Sequence, residues 1–269
     1  MSTPPSFTVE YLDTVVEAEP LPDEFSPSRL RRSLVLLTAV VLAVVAALAL
    51  VPGLGSLREK FMGAQPGWLA LAIVLQLGSC AAYVLVFRGV FCRQMSWRTS
   101  TEIGLSELAA NSVFSIGGAG GLALGAWILR RGGLPADFIA RRTVAFFLLT
   151  SLANVTFLGL GGVALATGLL SGSPGLLLGV IPAVAAALAV ALALGARRLA
   201  GAFARRSMRA RLAAGAQALG DGMDEAVRLL RTGDLAILAG ASGYMLFDVA
   251  MLGVCFAAFG NDVPPVGVL

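Results

Sequence analysis

The sequence predicts an all-α, polytopic membrane protein with about five transmembrane helices and one glycine-broken, re-entrant helical hairpin. Three observations carry this expectation. Hydrophobic residues make up 57% of the chain and charged residues only 13%, a balance that a soluble domain of this length cannot place on its surface. Apolar runs near the ~20 residues needed to cross a bilayer recur at 33–51, 68–91, 143–169, 175–196 and 234–258. A sixth apolar stretch, 103–128, is interrupted by Gly117, Gly118, Gly120 and Gly121.

Taken in order, residues 1–28 hold Glu10, Asp13, Glu17, Glu19, Asp23 and Glu24, several prolines, and no Lys or Arg. Such a segment cannot bury enough apolar surface to fold and is expected to be a disordered cytoplasmic tail. A cleaved signal peptide would need a basic start and a short apolar core, so the run at 33–51 is expected to be retained as the first span of a membrane domain covering 29–269.

The stretch 103–128 carries Glu107 and Asn111 before its glycines and Arg130 and Arg131 after it. Four glycines within five residues break a helix. Backbone freed at bilayer depth must be buried in protein or line a polar cavity, and such breaks mark binding sites in transporters. Charge discriminates between crossing and returning, because cytoplasmic loops collect Lys and Arg. With the N-terminus inside and 103–128 re-entrant, the inner side receives three arginines at 29–32, three at 88–98, four at 130–142 and eight at 197–231, which is 18 of the 20 basic residues. With 103–128 crossing, only 6 of the 20 would lie inside, so the re-entrant form is preferred.

Between 197 and 232, Leu212, Ala216, Leu219, Met223, Ala226 and Leu230 recur at three- and four-residue spacing, which predicts a cytoplasmic amphipathic helix. With Arg205, Arg206, Arg209 and Arg211 near its start, it is expected either to lie on the inner leaflet and gather anionic headgroups, or to be a connector whose arginines enforce orientation.

Several polar residues stand out against this apolar background. Glu107, Asn111 and Ser115 fall at i, i+4 and i+8 and form one stripe pointing at the glycines. Asp248 lies midway along 234–258 with Tyr244 one turn earlier. An ionisable group at such depth costs about 2.5–3.5 kcal/mol to insert, so it is a functional candidate. Asp248 should pair with a cation, a protonated partner or a substrate group, or else make a structural hydrogen bond to a neighbouring helix. For Glu107 the alternative is contact with interfacial water or Arg130. The glycine amides of an irregular turn could bind an anion such as a lipid phosphate, with Arg130 and Arg131 at headgroup level to grip it, although those arginines also serve as orientation anchors. Gly117, Gly121 and Gly125 also form a small-xxx-small ladder that suits close helix packing. Asn154 is expected to bridge helices by hydrogen bonding.

The chain has no histidine and three cysteines without paired spacing. That removes imidazole bases and His-ligated metals, and no metal or other cofactor is expected. A GxxxxGK[ST] nucleotide loop is absent.

The run Leu108-Ala-Ala-Asn111, then Gly117-Gly118-Ala-Gly120-Gly121, then Leu129-Arg130-Arg131-Gly132-Gly133-Leu134-Pro135, followed by Phe247-Asp248 and Ala258-Phe259-Gly260, resembles the lysylphosphatidylglycerol synthetase membrane-domain family over roughly 30–269. The resemblance implies a flippase-like fold in a bacterial cytoplasmic membrane and movement of a phospholipid or polyprenyl-linked glycolipid between leaflets. Proteins of that family usually continue beyond the position of Pro264 and Pro265 into a second hairpin, so the resemblance implies that this chain is incomplete at its C-terminus. It also lacks the soluble aminoacyl-transfer domain, so no lysine transfer is expected.

The leading expectation is therefore a lipid translocase that is not an enzyme, with membrane lipids of anionic headgroup as partners and no nucleic acid. Its headgroup contacts would be Glu107, Asn111, Gly117, Gly118, Gly120, Gly121, Arg130, Arg131, Tyr244 and Asp248. The alternative is a non-transporting membrane scaffold that binds lipid or an envelope glycosyltransferase, in either case as a possible homo-oligomer. A lipid-modifying enzyme working through an Asp/Glu pair is disfavoured by the lack of histidine and metal ligands.

Overall fold

The computed structural model describes residues 27–50, 55–91, 93–113, 119–169, 179–192, 195 and 210–264, all in helices or the turns that join them. The helices are α1 (Pro27–Leu50), α2 (Gly55–Met62), α3 (Pro66–Phe91), α4 (Trp97–Val113), α5 (Ala119–Arg131), α6 (Ala136–Ala166), α7 (Gly179–Leu192), α8 (Ala210–Arg231) and α9 (Leu235–Ala258). Among them α3, α6 and α9 are long and apolar enough to cross a membrane. The all-helical membrane character read from composition holds. The acidic segment 1–26 and most of the stretch 193–209 lie outside the described residues.

The centre of the fold is the antiparallel pair α3 and α9, which share the most extensive interface. Glycines on both helices let the backbones approach, the usual device where lipid supplies no hydrophobic drive between spans. A β-carbon on Gly240 would stand 2.7 Å from the Val86 amide, and one on Gly89 would stand 2.7 Å from Ile237 Cγ1. At one end of the pair Arg93 bridges to Asp234 at 3.0 Å, while Asp234 also caps α9 by accepting from the Ala236 amide at 3.0 Å. At the other end the Gln65 amide donates to the Ala258 carbonyl at 2.9 Å, and Lys60 Nζ donates to Asn261 Oδ1 at 2.7 Å.

The N-terminal part of α6 joins this core at the Arg93 end. Arg142 donates to the Val90 carbonyl, lies over the Phe138 ring at 5.1 Å, and pairs with Glu225 of α8 at 2.8 Å. Tyr83, Phe87, Phe91 and Phe146 pack as a ring cluster between α3 and α6. Further along α6, a β-carbon on Gly162 would stand 2.7 Å from both the Ala183 amide and the Gly179 carbonyl, so α7 crosses there backbone to backbone.

The apolar face of α8 is used within the protein. Met223, Ala226 and Leu229 are buried, and Gly222 leaves room for Val144 of α6. Over these residues α6 covers apolar area that the inner leaflet was expected to cover, while the arginines at 205, 206 and 209 lie outside the described residues. An apolar cavity of about 320 Å³ remains between α6, α7 and α8, walled by residues such as Leu148, Leu152, Val190, Met223 and Leu230. Asn154 is exposed on the outer face of α6 beside Leu152 and Leu158, so the helix-bridging role expected for it is not seen.

Candidate functional site

The polar residues of α3 form the spine of the site. Ser79 and Tyr83 are one helical turn apart and so share a face, and both are buried, at 1% and 5% exposure. Ser79 Oγ donates to Asp248 Oδ1 of α9 at 2.6 Å, and Tyr83 Oη donates to Glu107 Oε2 of α4 at 2.7 Å. One stripe of hydroxyls thus holds two carboxyl groups that arrive from different helices. Tyr244, a turn before Asp248, sets its ring 5.8 Å from that of Tyr83, and Phe146 of α6 meets Tyr83 edge-on at 5.2 Å.

Glu107 is 1% exposed. Its carboxyl group lies against Gly125 of α5, in the space a β-carbon there would need. Asn111, a turn further along α4, accepts the Gly121 amide on Oδ1 at 2.7 Å. The first amides of a helix have no partner within it, and here one is satisfied by a side chain from the adjacent helix. A β-carbon on Gly121 would stand 2.6 Å from Asn111 Oδ1, so glycine is what allows the approach.

These contacts revise two expectations. Gly120 and Gly121 lie inside α5, which begins at Ala119, and the Gly121 amide is already bonded to Asn111, so it is not free to bind an anion. Gly125 serves as a seat for a carboxyl group as well as a packing position. Gly117, Gly118 and Ser115 fall outside the described residues. Glu107 meets Tyr83 and not Arg130 or interfacial water. Asp248 is half-buried and accepts a hydrogen bond from Ser79 of the neighbouring helix.

Arg130 and Arg131 end α5. The helix closes in a Schellman turn: Leu134 N donates to Leu129 O at 3.2 Å and Gly133 N to Arg130 O at 3.0 Å, with Gly133 at φ +86° and Leu129 and Leu134 both buried. Arg130 is exposed at the rim of a groove between α5 and α6, and Arg131 lies over the Trp127 ring at 4.9 Å.

Chemically, each of the two carboxyl groups has one described donor and further acceptor capacity. Among the described residues no cluster of His, Cys, Asp and Glu could hold a metal. Cys80 and Cys255 are free thiols, partly buried. Ser79 and Tyr83 are the site residues that sequence reasoning missed. The signal was present as a hydroxyl pair at i, i+4 in an otherwise apolar run, the spacing that exposed Glu107 with Asn111 and Tyr244 with Asp248.

No protein-family model, curated protein or solved structure matches the chain.

Proposed function

We propose that the protein is a lipid translocase of a bacterial cytoplasmic membrane, with α1, α3, α6, α7 and α9 as spans and α4–α5 as a re-entrant hairpin. The observation that carries the reading is the Glu107 carboxyl group, buried against Tyr83 and seated on Gly125 in a chain otherwise built for lipid. Such a group is costly to insert, and where it occurs it marks a path for polar cargo. Asp248, half-buried on the same stripe, gives a headgroup a second contact closer to the surface of the bundle.

The hairpin is supported by contacts as well as by charge. Glu107 of α4 meets Gly125 of α5, so the two helices run back along one another. The chain then enters α6, whose Arg142 reaches Val90 near the end of α3. With 18 of the 20 basic residues on one side in this topology, the N-terminus is cytoplasmic.

Headgroup-resolved lipid flipping in proteoliposomes tests the reading, with Glu107→Gln and Asp248→Asn as paired controls. Transfer of one lipid class that both variants lose supports it. A folded protein that moves no lipid, yet binds one saturably, supports the scaffold alternative instead.

A further inference from the structure

The Glu107 carboxyl group is sealed from solvent, at 1% exposure, within α4. Its Oε2 accepts from the Tyr83 hydroxyl at 2.7 Å, and its Oε1 rests against Gly125, in the space a β-carbon would take. The contact holds no positive charge: among the described residues, no Lys or Arg forms an ion pair with Glu107.

The cations of the surrounding helices are engaged or turned elsewhere. On α3 Tyr83 faces the carboxyl group, while Arg88 donates to the Met95 carbonyl and lies over the Trp97 ring. On α4 itself Arg98 pairs with Glu102 at the exposed end. α5 ends in Arg130, which is exposed, and Arg131, whose guanidinium lies over Trp127. On α6 Arg142 pairs with Glu225 and Arg141 with Asp137. From α9, the Tyr244 ring stands 5.8 Å from that of Tyr83, and Asp248 is held by Ser79.

A carboxylate taken out of water with no cation costs far more than one hydrogen bond returns, and the group escapes that cost by binding a proton. Surrounding lipid offers no compensation. The neutral acid still has an oxygen to accept the Tyr83 hydroxyl, so it fits the contacts seen.

We propose that Glu107 is a proton-binding site, held as the neutral acid while Tyr83 is bonded to it, and that lipid movement is coupled to the release of this one proton. When the Tyr83 bond opens and water enters with a headgroup, the carboxyl O–H breaks, its electron pair stays on the oxygen, and the proton passes to water. Reclosing takes one proton back. The coupling rests on the translocase reading above, whereas the protonated state of Glu107 does not.

Infrared difference spectroscopy of the purified full chain in detergent tests the site. At neutral pH, wild type minus Glu107→Gln should show the carbonyl band of a protonated carboxylic acid, and Asp248→Asn should retain that band. Tyr83→Phe removes a hydrogen bond from the same carbonyl and should move the band to higher frequency, which serves where Glu107→Gln fails to fold. No such band at neutral pH, or a band indifferent to both substitutions, overturns the proposal.

Proteoliposomes test the coupling. With one proton per lipid, a gradient of about one pH unit holds a labelled trace lipid about tenfold out of balance between the leaflets, and Glu107→Gln should lose that bias. Lipid transfer that equalises the leaflets despite the gradient overturns the coupling. A Glu107 band with no lipid movement at all removes the translocase and leaves the proton site.

Discussion

The carboxyl group of Glu107 occupies the space that a side chain on Gly125 would fill. The two residues come from successive helices, and each is explained by the other: the acid needs a seat clear of β-carbons, and the glycine sits mid-helix at a cost of roughly 0.8–1.0 kcal/mol relative to alanine. Gly125→Ala therefore exchanges better helix propensity for a clash, and overpacking of this kind costs about 1–3 kcal/mol. Thermal unfolding in detergent should show the loss. Combining it with Glu107→Ala should recover most of it, since contacting residues couple; additive losses would mean that the two do not touch.

Tyr83→Phe removes the one described donor to Glu107 and leaves a buried acceptor unsatisfied, for an expected loss of about 1–3 kcal/mol. Glu107→Gln keeps an oxygen to accept the hydroxyl. The glutamine variant should thus unfold close to the wild-type temperature while lipid transfer in proteoliposomes drops tenfold or more. Equal transfer by both proteins would leave Glu107 a structural residue.

Ser79→Ala removes the described donor to Asp248, with an expected destabilisation of about 0.5–1.5 kcal/mol because the aspartate is only half-buried and water replaces part of the bond. Asp248→Asn retains an acceptor for Ser79, so its stability should be nearer wild type than that of Ser79→Ala. A reversed order in chemical denaturation would place the main partner of Asp248 elsewhere.

Two ion pairs on this protein should respond differently to loss of charge. Arg142 and Glu225 are 16% and 12% exposed, whereas Arg98 and Glu102 are 88% and 62% exposed. Glu225→Gln, which also weakens the Arg228 pair, should cost about 1.5–3 kcal/mol, the range for hydrogen bonds to charged groups, while the apolar contacts of Met223 and Ala226 keep α8 in place. Glu102→Gln should change stability by no more than about 0.5 kcal/mol, as exposed helix pairs do. Melting temperatures at low and high salt check both, with little salt dependence expected for the buried pair.

Hydrophobic run length was enough to find α3, α6 and α9, because a span must satisfy its backbone internally whatever it packs against. The polar candidates were equally visible, since Glu107 is the sole charged residue in 103–128 and Asp248 the sole one in 235–258. Their partners were less so. Ser79 and Tyr83 are ordinary residues in a span, and their meaning comes from which helices α3 lies against, which spacing along one chain does not encode. The glycines were ambiguous for the same reason: Gly121 and Gly125 fit a packing ladder, yet what approaches them is an amide and a carboxyl group of α4. The amphipathic pattern of α8 told that one face is apolar without telling whether lipid or α6 covers it.

The Asn111 side chain that satisfies the first turn of α5 does more than close an open amide. One end of α5 is bonded to α4 and its middle rests on Glu107, so the two helices meet at two successive turns. The pair is joined to α3 by the buried hydrogen bond from Tyr83 to Glu107. On the translocase reading proposed above, a headgroup donor would have to replace one phenol hydroxyl on Glu107, which makes the same hydrogen bond both latch and reader.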